Sequence, residues 1–300
     1  MRHRLPSSAT RVPSAHRAGS ESPALGIARA LGLTLTLSGL AACSGGTPAE
    51  ALPTEGITYL PACSGDNNGV ISVGELHFTP GLLAPYAVQR ANSAPVQAGG
   101  DPSKGTGVWD FSQTQFEGLE ELPTLSPAGF WYADAAPDAN LVIPLNVSGA
   151  PPSHLLLRNT PEAVDILGVA SVEPDQLFLQ YTAAVPFMRF PMALGDARSA
   201  TVAPADGFIF EGQPLAPETY GDSNDTYTIE VGGRGALRLP GMQIDNVLAL
   251  SLRLERFIEN PLTGDTTTTA EQTYLVHECL GTVAVRSGPA GPWRVIWYPR

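Results

Sequence analysis

Residues 64–75 run Ser-Gly-Asp-Asn-Asn-Gly-Val-Ile-Ser-Val-Gly-Glu. Oxygen-bearing side chains recur at Ser64, Asp66, Asn68, Ser72 and Glu75, with Gly69 in the middle. Hard divalent cations such as calcium take six to eight oxygens from a flexible turn, with a glycine at the sharpest bend and a late bidentate carboxylate. On that register Ser64, Asp66 and Asn68 offer side chains, Val70 offers its carbonyl, Ser72 holds a water, and Glu75 closes the shell. Ile71 is then the apolar anchor.

This order resembles the calcium loop of EF-hand proteins. Ser64 stands where that loop has Asp, and no helical periodicity flanks the segment on either side. The same residues also read as an Asn-Asn-Gly hairpin turn, whose members tolerate positive φ. The calcium loop and the plain turn are therefore both expectations, with calcium the one cofactor the sequence suggests.

Other reactive residues form no local signature. His77, His154 and His277 are far apart, and no close histidine pair of the zinc type exists. No G-x-S-x-G occurs. Glu120-Glu121 are neighbours that on one strand point to opposite faces, so they read as surface. Gly232-Gly233-Arg234-Gly235 reads as a turn between strands, with no helix to make it a phosphate cradle. Phe130-Trp131-Tyr132 and Trp293, Trp297 and Tyr298 are aromatic groups suited to a core or, if exposed, to stacking on sugar or a partner.

The elements around these residues are expected to be strands. Gly 31 and Pro 28 make about a fifth of the chain, which favours turns over long helices. Hydrophobic residues at 43% with 15% charge fit a packed globule. Strand patterns run over 141–147, 154–158, 164–172, 177–181, 187–190, 226–231, 236–239, 247–257, 273–280, 282–286 and 294–297. The clearest puts Leu248, Leu250, Leu252 and Leu254 on one face and Ser251, Arg253 and Glu255 on the other, a period of two. Pro240-Gly241 makes 235–257 a hairpin. One short helix is expected near Pro161–Leu167, where Pro161 suits a first helical position. The fold class is mainly β: a curved antiparallel sheet or β-sandwich with few short helices.

The N-terminal part reads as an export signal. Residues 1–42 hold five arginines and one acid and end in the apolar run Ala30–Ala42, too short to span a membrane. The remainder has 12 basic against 28 acidic residues, a net charge of −16, which repels nucleic acid and keeps the body soluble. Leu40-Ala41-Ala42-Cys43 resembles the lipobox of bacterial lipoproteins. That resemblance implies lipidation of Cys43, with a Ser-Gly-Gly tether behind it; ordinary secretion is the alternative. Cys63 and Cys279 are left as a pair that an oxidising compartment would join, or as two buried thiols. The expected organisation is a signal peptide at 1–42, a tether at 43–56, an N-terminal segment with the calcium-type loop at 57–105, and a β domain at 106–300.

Several tracts resemble a loose group of β-rich secreted and lipoprotein-type proteins of Bacteroidota and myxobacteria. They are Trp109–Ser112, Phe190–Asp196, Tyr220–Ser223, Gly235–Gly241 with Asp245–Leu248, and, in part, Tyr274–Val283. The group carries no established activity, so the resemblance implies fold and location. Parts of it are similar to curved sheets that carry lipids or lipoproteins in the periplasm. The expected function is that of a non-enzymatic cell-envelope lipoprotein in a binding or structural role. It would be anchored through Cys43 at the outer membrane in preference to the inner, with a protein, glycan or apolar ligand as partner and no nucleic acid. A carrier of an apolar ligand is the alternative, and a hydrolase with dispersed residues is a third.

Overall fold

The computed structural model describes residues 63, 65–76, 78, 82–93, 95–145, 152–174, 177–205, 209–210, 213–214, 223–259 and 264–296. All of them fall in a unit spanning 52–300; a second unit, 1–51, lies outside the described residues, and Cys43 with it.

The chain order begins with β1 (Val70–Ile71), β2 (Leu82–Gln89), β3 (Gln97–Gly99), β4 (Gly107–Asp110), β5 (Phe116–Thr124) and β6 (Leu141–Leu145). It continues with β7 (Ser153–Asn159), β8 (Ala163–Ser171), β9 (Leu177–Arg189), β10 (Met192–Ala193), β11 (Ala197–Val202), β12 (Ile209–Phe210) and β13 (Gln213–Pro214). It closes with β14 (Asn224–Leu239), β15 (Met242–Ile258), β16 (Thr266–His277), β17 (Gly281–Ser287) and β18 (Trp293–Ile296). Among the described residues there is no α-helix, only 3-10 turns at Pro102–Lys104 and Ala133–Ala135.

The fold is mainly β, in two facing sheets and a small ribbon. The larger sheet runs β3-β4-β14-β15-β16-β17-β18-β2-β5, with β11 also on β14; the smaller runs β13-β12-β9-β8-β7-β6. β1 and β10 form the ribbon. The larger sheet is mixed, because β4 runs parallel to β14 while its other pairs are antiparallel.

That sheet curls into a half-barrel. Phe111, at the end of β4, meets Trp293 on β18 edge-on with ring centroids 5.6 Å apart. Five strand steps separate those strands in the sheet order, roughly 24 Å if it were flat. Only a strong curl brings the two rings together. The inside is filled by Tyr86, Phe111, Leu237, Val247, Leu275 and Trp293 among others.

The other face packs on the smaller sheet. Leu248, Leu250, Leu252 and Leu254 of β15 join Leu155, Leu157, Ile166 and Val185 in the main core. Burying each such side chain contributes about 1.5–3 kcal/mol, which fixes the register of this alternating strand. Leu156 points the opposite way from its neighbours, into a third cluster with Tyr132 and Phe178.

Three expectations change. The segment Pro161–Leu167 is not helical: Ala163–Ser171 is a strand buried on both faces, so its apolar run reflects two covered sides and not helical spacing. The glycine-rich 232–235 stretch is not a turn but the middle of β14, which merges the two strands expected there. Bulges at Val231/Gly233 and Gly235/Leu237 bend it. Gly235 lets β4 approach, since a Cβ there would lie 1.9 Å from the Gly107 carbonyl oxygen. Likewise 177–181 and 187–190 belong to one 13-residue strand.

Candidate calcium site

Pro240-Gly241 does close a hairpin between β14 and β15, and the loop 65–75 lies against these strands. Ile71, at its centre, is fully buried in the main core, and β1 pairs with β10. The loop is thus held at its apolar anchor while its polar half curls. Asn67 and Gly69 both take positive φ, at 55° and 78°. Gly69 also has the Arg234 guanidinium over it: an added Cβ would sit 2.4 Å from Nη1.

Cys63 and Cys279 form a disulfide with Cα atoms 5.3 Å apart, across 216 residues of sequence. The Cys279 N–H donates to the Glu75 carbonyl oxygen at 2.6 Å. The start of the loop and its last residue are therefore both fastened to the turn between β16 and β17.

That turn supplies a residue outside the ligand set read from the sequence. Glu278 accepts from the Asn67 N–H at 2.8 Å and from the Gly69 N–H at 3.4 Å. Glu75 accepts from the Ser72 N–H at 2.7 Å. One carboxylate oxygen from each of Asp66, Glu75 and Glu278 lies within 4.8 Å of the other two. Glu75 is 8% exposed, Glu278 is 1% exposed, and Asp66 is exposed. None of the three has a basic nitrogen within 4 Å among the described residues.

Of the loop residues named from the sequence, Asp66 and Glu75 converge. Asn68 turns its amide back into the loop, accepting from the Val70 N–H at 2.6 Å and donating to Asp66 at 2.7 Å. Val70 is in β1, paired with Ala193. Ser64 lies outside the described residues. Three carboxylates therefore meet here, oxygen donors of the type that hard divalent cations take, with backbone N–H groups of the loop also donating to Glu75 and Glu278.

Besides Asp165, which pairs with Arg158 and Arg189, two further clusters of titratable groups sit in the interior. Asp225 and Arg256, direct cross-strand neighbours on β14 and β15, form a bidentate pair at 2.8 and 2.7 Å. Tyr181, from the smaller sheet, donates to Asp225 and lies 2.7 Å from the Tyr227 hydroxyl. Burial opposes the Arg256 charge, but Asp225 outweighs it and holds the guanidinium protonated. Burial, then the Asp225 charge, pushes the Tyr181 hydroxyl up. In the third cluster the Tyr132 hydroxyl lies 2.7 Å from His154 Nδ1, and burial lowers the imidazole. Both groups are satisfied within themselves. Glu120 and Glu121 are exposed, as neighbours on a surface strand.

The fold and the site together define a β half-barrel packed on a second sheet, with an acidic loop fastened to the end of β16. Comparison of this chain with protein-family models, with curated proteins and with solved structures finds no match.

Proposed function

We propose that this chain is a lipid-anchored cell-envelope protein with a non-catalytic binding or structural role, and that calcium clips its 65–75 loop to the half-barrel. The observation that carries the calcium reading is the meeting of Asp66, Glu75 and Glu278 with no basic partner within 4 Å among the described residues. Carboxylates this close repel one another, and two of them have lost most of their water. A divalent cation would relieve both costs. The self-contained pairing of the two interior groups supports a non-catalytic role, since neither leaves a reactive atom facing solvent. The core side chains between the sheets support it over a carrier: Leu155, Leu157, Ile166, Leu248 and Leu250 have no accessible surface, whereas a ligand cavity would expose them.

Calcium binding to the folded state alone raises stability by on the order of 1–3 kcal/mol at ten to a hundred times the dissociation constant. Melting in millimolar calcium and in chelator should give midpoints several degrees apart. Glu278→Gln and Glu75→Gln should each remove the separation, judged within each variant. Coincident midpoints in the unaltered protein return the loop to a plain turn.

The anchor has its own test. Cys43→Ala should move the protein from the membrane fraction to the soluble fraction of its cells, or leave it unprocessed. Unchanged processing and membrane retention would reject lipidation.

A further inference from the structure

The face of the smaller sheet opposite the main core carries an open groove of about 540 Å³, walled by Phe130, Trp131, Asp134, Val172 and Pro174. Its aromatic wall is immobilised from behind. The Trp131 indole N–H donates to the Ser171 carbonyl oxygen at 3.0 Å, and the ring meets Tyr132 and Phe178 edge-on at 5.7 and 5.9 Å. Phe130 stacks on Tyr132 at 5.3 Å with planes 2° apart, and Tyr132 is tied to His154. The one polar atom of the two wall rings, the Trp131 indole N–H, is satisfied inward, so Phe130 and Trp131 offer the groove ring surface. Val172, beside them, is one of the few large apolar side chains left exposed, at 38%.

Asp134 adds the charge. Its carboxylate has no ion-pair or hydrogen-bond partner among the described residues. Aromatic faces carry negative quadrupoles, and a carboxylate at the same wall deepens that potential. The surrounding body, at −16, adds a field of the same sign. An anion is repelled here. A small inorganic cation would find one carboxylate among the lining side chains, too few ligands to replace its hydration shell. A sugar needs several directional polar side chains, and among the lining side chains only Asp134 offers a free polar group. A bulky, weakly hydrated cation gains from ring, aliphatic and carboxylate contacts together.

We propose that this groove binds a small free organic ammonium ion of the quaternary type. The probe is choline, titrated into the full chain and followed by calorimetry and tryptophan fluorescence. Saturable binding near 1 mM or tighter is expected, with the neutral isostere 3,3-dimethylbutan-1-ol about tenfold weaker or worse. Asp134→Asn, at an exposed position that leaves folding intact, should weaken choline by about tenfold. Trp131→Ala should abolish binding, and retained near-ultraviolet circular dichroism distinguishes lost binding from lost fold. Equal affinity for choline and its isostere would overturn the proposal, as would choline binding unaffected by Asp134→Asn. It is equally overturned if maltose saturates the site while choline does not. Sedimentation with phosphatidylcholine vesicles in the absence of free choline binding, or no choline signal up to tens of millimolar, would also reject it.

Discussion

Asp225→Ala is expected to lower the free energy of unfolding by about 3–5 kcal/mol, measured by denaturant titration. The substitution leaves the Arg256 guanidinium, 7% exposed, with no carboxylate to answer two of its N–H groups. It also takes the carboxylate acceptor from the Tyr181 hydroxyl, leaving it only the Tyr227 hydroxyl in the same buried space. An uncompensated buried charge is far costlier than a missing pair. The double variant Asp225→Leu with Arg256→Met should therefore be more stable than Asp225→Ala alone, because it removes both charges and keeps apolar volume. A double variant less stable than the single one would refute this account of the cluster. Since Tyr181 comes from the smaller sheet and the ion pair from the larger, the effect should appear as weaker cohesion of the whole domain and not as local fraying.

Removal of the disulfide should be as severe. Cys63→Ser with Cys279→Ser frees a loop closed across 216 residues. The chain-entropy relation gives roughly 5 kcal/mol for a loop of that length. For a domain of this size that corresponds to a midpoint lower by about 10 °C or more in a thermal melt. Wild-type protein melted under strong reductant should reproduce the shift. The same pair of variants should also reduce any calcium-dependent stabilisation, because the disulfide is one of the ties holding the loop beside Glu278. A melting midpoint within a degree or two of the oxidised wild type would show that the loop is held by its hydrogen bonds and by Ile71 alone.

The mainly β character was legible because half-buried strands write a period of two into the sequence. Leu248 to Leu254 alternate with Ser251, Arg253 and Glu255, and β15 buries and exposes them in that order. Pro240-Gly241 marked its hairpin for the same local reason. The pattern misled where burial is two-sided: Ala163–Ser171 has no polar face, so Pro161 before an apolar run looked like a helix start. It misled again at 232–235, where glycines usually mark turns. Here they admit a neighbouring strand and a bulge, a demand set by β4, over a hundred residues earlier.

For the candidate site, the sequence by itself determined a loop rich in oxygen donors with a glycine at its bend and an apolar anchor at Ile71. Those are short-range properties, carried by residue type and spacing. Glu278 was beyond that reach, because it meets the loop only through the pairing of β16 with its neighbours and the Cys63–Cys279 link. One signal pointed toward it: if the two cysteines join, the residue beside Cys279 must lie beside the loop that follows Cys63. The curl of the large sheet, the Asp225–Arg256–Tyr181 bridge between sheets and the groove at Trp131 were likewise decided by tertiary structure. Each depends on residues that are distant in sequence and become neighbours only when strand register, twist and packing are fixed together.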